Sequence, residues 1–317
     1  MKNFFAALFT FTTFAIIFSL ITSLEAAPEK NGFNLAGSLI PINKIFGGGP
    51  PKDGIPSIDK PKFLKANQAR FLKSSDRVIG IEVNGNYRAY PIKILNWHEI
   101  VNDRVGNHPI VVTYCPLCGT GMVYDAKIGG HALQFGVSGL LYNSDVLLYD
   151  RQTQSLWSQI LSKAISGKQK GTKLKIIHSS HTSWIQWKKR HPNTLVLSTD
   201  TGYQRNYDRS PYGDYDNNQA IYFPLAAKSK RYHPKERVIG ITINGNHKAY
   251  PFAELSRSRS NTLSDTFTGR TLRIDFDSDN RDGHITDQHG NLIPSVNSFW
   301  FAWYAFHPDT KVYKYRK

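Results

Sequence analysis

Arg77-Val-Ile-Gly-Ile-Glu-Val-Asn-Gly-Asn-Tyr-Arg-Ala-Tyr-Pro91 returns further along the chain as Arg237-Val-Ile-Gly-Ile-Thr-Ile-Asn-Gly-Asn-His-Lys-Ala-Tyr-Pro251, identical at eleven of fifteen positions. Each copy sets an apolar, β-branched run before Asn-Gly and a second short run after it. Asn-Gly supplies the positive φ angles of a two-residue hairpin turn, so both copies read as β-hairpins. A second pair of segments repeats behind them. Trp184, Trp187, His191-Pro192 and Thr194 match Trp300, Trp303, His307-Pro308 and Thr310 at the same internal spacing. Tryptophans three residues apart share one helix face, and aromatics of this size are core residues before they are ligand contacts. The expected fold is mainly β with short helices (α+β). It is read as two related halves from an internal duplication, each a β-hairpin plus a short Trp/His-Pro helix.

Working outward, residues 63–203 form the first half and 204–317 the second. Residues 28–62, with Gly47-Gly48-Gly49-Pro50-Pro51 at their centre, read as an extended Gly/Pro-rich leader. Residues 1–27 open Met-Lys-Asn and run uncharged from Phe4 to Leu24 before Glu25-Ala-Ala-Pro28. That is the layout of a signal peptide, and the apolar run is also long enough to serve as an N-terminal anchor. Either way the remainder is expected outside the cytoplasm, in the periplasm or cell envelope. About 290 residues then remain, enough for a real hydrophobic core without covalent staples.

The formal net charge of +16 is spread over Lys163–Lys175, Lys188–Arg190, Lys228–Arg237 and Lys311–Lys317. A solvated basic surface accounts for it, and such a surface would be drawn to an anionic envelope polymer or lipid face. Nucleic acid is excluded as a partner by export and by the lack of any accompanying binding motif.

The two halves differ where the chemistry is expected. The first continues Ile110-Val-Val-Thr-Tyr-Cys-Pro-Leu-Cys-Gly119, whereas Leu272-Arg-Ile-Asp-Phe-Asp-Ser-Asp stands in the equivalent place of the second. Cys115 and Cys118 are the only cysteines, and a loop this small stabilises little by closing. The pair is therefore read as chemical, sitting in a tight bend between two strands. Cys-Pro-x-Cys-Gly in that setting is similar to half of a rubredoxin or zinc-ribbon site, and no helix pattern follows it as a thioredoxin-like site would need. Copper or zinc is the expected metal, with Cys115, Cys118, His98 and Met122 as ligands; a thiolate, thioether and imidazole set would suit Cu(I). His131, His178 and His181 are further histidine candidates. Thiol-disulfide chemistry with Cys115 and Cys118 as the catalytic pair, and an inert structural disulfide, stand beside the metal reading.

Residues 134–159 have no counterpart in the second half. Their short polar groups stand among apolar strand residues and need partners, which a ligand pocket or a hydrogen-bonded turn network would supply. His98, Glu99, Ser138, Asn143, Asp145, Asp150, Arg151 and Trp157 are the pocket candidates for a small ligand or metal. The tyrosine-rich run 200–215 either roofs that site or packs the halves together.

Tyr114-Cys-Pro-Leu-Cys-Gly119, Phe135-Gly-Val-Ser-Gly-Leu-Leu-Tyr-Asn-Ser-Asp145, Ser155-Leu-Trp-Ser-Gln159 and Phe299-Trp-Phe-Ala-Trp-Tyr-Ala-Phe-His-Pro-Asp-Thr310 together resemble the exported bacterial domain-of-unknown-function family numbered 3179. The resemblance covers nearly all of the chain after Phe63 and implies no reaction. From the residues themselves, the expectation is a protein that binds a thiophilic metal or does thiol redox chemistry. The contrasting expectation is a non-enzymatic binder of an anionic envelope polymer or surface, with a structural cysteine pair.

Overall fold

The computed structural model describes residues 27–316, so the signal or anchor reading falls outside the described residues. Strands dominate and the α-helices run only four to seven residues, giving a mainly β fold with a few short helices. No helix among the described residues is long and apolar enough to cross a membrane.

The two quoted hairpins form as their Asn-Gly turns require. Arg77–Val83 pairs antiparallel with Asn86–Pro91, and Arg237–Ile243 with Asn246–Pro251, in the same register. Ser179–Ser183 flanks the first hairpin and Ser295–Phe299 the second, again in matching register. A short parallel strand, Leu195–Leu197 or Lys311–Val312, closes the other side of each. Helices Trp184–Arg190 and Trp300–Phe306 lay Trp187 and Trp303 on the flat surface left by Gly80 and Gly240. A Cβ at either glycine would come within 2.3 Å of the indole. Each indole N–H donates to the threonine seven residues on, Trp187 to Thr194 at 3.0 Å and Trp303 to Thr310 at 2.9 Å. His191 and His307 pack against the same rings, with centroids 4.2 Å apart in each pair. The repeated Trp-His-Pro-Thr pattern is thus a packing device: both indoles are buried and hydrogen-bonded within their own half.

A three-stranded antiparallel unit accompanies each hairpin. It is Ile100–Val105, His108–Cys115 and Thr120–Asp125 in the first half, and Thr262–Phe267, Arg270–Asp277 and Asp282–Asp287 in the second. The bend Cys115–Thr120 therefore corresponds to Asp277–Asp282. The bends are exchanged between the halves. Phe299 N–H donates to the Cys118 carbonyl at 2.8 Å and Arg237 to the Gly119 carbonyl at 3.2 Å, while Arg77 donates to the Asn280 carbonyl at 2.7 Å. Asn297 also pairs with Gly121, so strands of both halves run through one eight-stranded sheet.

The segment read as a leader belongs to the fold. Phe33, Leu35, Ile40 and Ile45 are buried against Leu140, Leu147 and Tyr149. Ile45–Gly47 is the edge strand of a five-stranded sheet whose other members are Phe135–Tyr142, Asp145–Asp150, Leu156–Ser158 and Lys163–Ala164. Apolar residues scattered through a Gly/Pro-rich run carry no period, which is why the sequence hid this burial.

Candidate functional site

Cys115 ends one buried strand and Cys118 closes the bend to the next. Gly119, at φ +58, lets the chain leave that bend where the Phe299 ring presses on it; a Cβ there would lie 2.7 Å from the ring. Both cysteines are buried and free. Facing them is the turn of the Phe135–Tyr142/Asp145–Asp150 hairpin. Asn143 and Ser144 both take left-handed backbone angles, φ 53 and 63, as a two-residue turn of this type demands. The turn is clamped from outside: Asn143 donates to the Ala305 carbonyl at 3.1 Å and accepts from Ala226 N–H at 2.8 Å, and Ser144 donates to the Phe223 carbonyl at 3.2 Å. Held this way, the Ser144 carbonyl accepts from the Cys118 thiol at 3.1 Å and the Cys115 thiol at 3.5 Å.

Asp145, the next residue, completes the group. Its carboxylate oxygen and the two sulfurs lie within 4.8 Å of one another, all three residues buried. Ile160 N–H donates to Oδ2 at 3.0 Å, while Oδ1 is buried with no hydrogen-bond partner. A buried carboxyl oxygen left unpaired beside two reduced thiols is costly unless something occupies it. A tetrahedral ion holding sulfur at ~2.3 Å sets two sulfurs roughly 3.8 Å apart, so these three donors fit a metal with small side-chain adjustment.

Burial sets the protonation of the group. It pushes Asp145 up to about 8 and Glu99 up to about 7. Both thiols are raised by the same burial; hydrogen bonding from the Cys118 side chain and amide restrains Cys115, whereas Cys118 is held well above the thiol range. Without a metal the cluster is therefore largely neutral at pH 7. Lys235 lies on the far side of Cys118, its Nζ 3.0 Å from the Tyr215 ring centre and 2.8 Å from the Tyr215 carbonyl. Desolvation lowers Lys235 to about 8.

Of the residues proposed from sequence, Cys115, Cys118 and Asp145 meet, with Glu99 close by. His98 does not join them: Nδ1 is 2.8 Å from the Pro56 carbonyl and Nε2 2.8 Å from the Tyr207 hydroxyl, so both nitrogens are engaged. Met122 Sδ lies 3.1 Å from the Tyr124 hydroxyl, in the same core cluster as Cys115 and Cys118. Of the other histidines, His181 is buried against the Gly121 carbonyl at 3.0 Å, His178 packs against His284, and His131 is exposed. Much of the polar insert is a turn network rather than a pocket. Ser138 donates to the Leu147 carbonyl, Trp157 Nε1 donates to Asp150 at 3.0 Å, and Arg151 donates to Asp53 and Ser57 at 3.0 Å. The run 200–215 reaches the site: Tyr212 donates to Glu99 at 3.0 Å and Tyr215 is buried beside Lys235. What the sequence reading missed is that Asp145 stands in one group with the two cysteines. The available signal was an acid directly after an Asn-Ser turn, opening an apolar run of strand.

A family described as "Protein of unknown function (DUF3179)" matches residues 52–310, most of the chain and all of this cluster. The chain belongs to that family. No curated protein and no solved structure matches it. Within this DUF3179 chain the second half supplies the only internal comparison. Where the first bend has Cys115 and Cys118, the second has Asp277 and Asn280, joined by Asn280 N–H and Nδ2 donating to the Asp277 carboxylate at 3.0 and 2.7 Å. The second bend is tied by its own Asp277–Asn280 hydrogen bonds, whereas the first turns its two thiols toward the Ser144 carbonyl and Asp145.

Proposed function

We infer that this family member binds one thiophilic metal ion through Cys115, Cys118 and Asp145. The observation that carries the reading is the buried, unpartnered Asp145 Oδ1 within 4.8 Å of two reduced thiols. Zinc suits this donor set better than copper, because a carboxylate is a hard ligand. Thiol-disulfide chemistry is the second reading. It is favoured by the Asp145 carboxyl standing beside the Cys115 thiol, since a carboxyl raised to about 8 can exchange a proton near neutral pH. The matched registers of the two hairpin units support an origin by duplication, with chemistry kept in one copy. Export by the N-terminal segment and attraction of the +16 chain to an anionic envelope surface complete the proposal.

Elemental analysis of untagged protein tests it. Wild type should retain about one zinc per chain, and Cys115→Ser/Cys118→Ser and Asp145→Asn should each lose it. Equal metal in wild type and the double variant overturns the metal reading. Thiol titration of the metal-free protein, before and after a mild oxidant, then tests the redox reading.

A further inference from the structure

A chamber of about 480 Å³ adjoins the cysteine group. Leu117, between the two cysteines, and Val146, directly after Asp145, both line it, so its contents would lie against the residues that hold the donors. Most of the remaining wall is apolar or aromatic: Ile55, Trp97, Leu141, Tyr212, Tyr222 and Phe223. Two charged side chains reach the lining. Arg205 is exposed and stands over the Trp97 ring at 5.8 Å, at the outer edge. Glu99 is buried.

Glu99 is held there against its own backbone preference. Its φ of 55 is left-handed, a conformation costing a non-glycine residue on the order of 1 kcal/mol or more, and it persists because neighbours over-determine it. Glu99 N–H donates to the Leu95 carbonyl at 2.7 Å, and the Glu99 carbonyl accepts from Tyr114 N–H at 2.7 Å. One carboxyl oxygen accepts from Tyr212 at 3.0 Å. That is the one side-chain hydrogen bond of the carboxyl among the described residues, and Glu99 is part of the chamber's lining. A strained, buried acid in the lining of an apolar chamber is a recognition group for a donor.

Charge and chemistry narrow the ligand. An anion would be placed beside Glu99. A cation would compete with Arg205 for the Trp97 face and approach a strongly basic protein. A wholly apolar molecule would desolvate the carboxyl and return nothing to it. We propose that the chamber binds an uncharged aromatic molecule carrying a hydroxyl group, a phenol or naphthol, with its ring among Trp97, Tyr212 and Phe223 and its hydroxyl donating to Glu99. This deepens the metal reading by giving the centre a ligand class, while the chamber itself needs no metal to bind the ring.

Equilibrium dialysis of the metal-free full chain against 2-naphthol, naphthalene and 2-naphthoate tests the assignment. At pH 8.5, where Glu99, raised by burial to about 7, is ionised, wild type should bind 2-naphthol about tenfold more tightly than naphthalene, the worth of one hydrogen bond to a charged acceptor, and bind 2-naphthoate most weakly. Glu99→Leu should erase the preference for the hydroxyl while keeping the ring. Ile55→Trp, at a partly exposed wall position, should abolish binding of both, with unchanged thermal unfolding as its control. Cys115→Ser/Cys118→Ser should keep 2-naphthol binding, so a failed metal centre and a failed chamber give different results. Equal affinity for naphthol and naphthalene in wild type, or a preference that survives Glu99→Leu, overturns the proposal.

Discussion

Asp145 and Glu99 both keep their protons in the fold at pH values where an unfolded chain has released them, near 3.8 and 4.5, because burial raises them to about 8 and about 7. By linkage, the stability tied to these groups is full below about pH 4 and is lost as pH rises toward 8. Urea unfolding in the presence of a chelator should therefore carry a destabilising slope from Asp145 and Glu99 between pH 5 and pH 8, set against the opposite slope of His178, His181 and His307, which burial holds down to about 4, 3 and 3. Asp145→Asn should flatten that slope, gaining stability at pH 8 on the order of a few kcal/mol relative to wild type. An unchanged slope in the variant would place the titration elsewhere. On the metal reading proposed above, a bound ion would take the place of the protons on Cys115, Cys118 and Asp145 and reverse that cost.

At the level of elements, the decisive contact is an indole lying flat on a strand glycine. Trp187 on Gly80 and Trp303 on Gly240 leave no room for a methyl group, with Cβ positions 2.3 Å from ring carbon. Gly80→Ala and Gly240→Ala should each destabilise by about 1–3 kcal/mol through overpacking. Gly47→Ala, on an edge strand with no atom within 4 Å of the added Cβ, should stay within about 0.5 kcal/mol of wild type in the same denaturation series. Comparable effects at all three sites would mean that the helices do not dock as described. The same docking fixes where Ser179–Ser183 and Ser295–Phe299 enter their sheets, and Phe299 is the residue that covers the cysteine bend.

For the whole molecule, the halves are interdependent because each packs its bend against the other. Phe299, Tyr215 and Lys235, all from the second half, enclose Cys118. In the native chain both thiols should resist a thiol reagent until global unfolding. A chain ending at residue 203 should react without denaturant, because it lacks that cover. Protected thiols in the shortened chain would show that the first half encloses its own site. Strand pairing across the halves likewise favours a single unfolding transition for residues 27–316.

The hairpins, the strand-bend-strand placement of the cysteines and the tryptophan helices were legible in the sequence, since Asn-Gly turns, β-branched runs and helical spacing are local codes read over a few residues. The packing role of the repeated tryptophans followed from their size. Three things were settled only by tertiary structure. Asp145, and not His98, stands beside the sulfurs because a turn about thirty residues away folds back over the bend, and no spacing rule reports such a contact. Residues 28–62 joined the core because the five-stranded sheet needed an edge partner and a cover for Leu147 and Tyr149. Glu99 became an acid in the wall of an apolar chamber because loops from both halves close around it. Local sequence set which elements form; long-range packing, which depends on shape and burial between distant segments, chose which side chains meet.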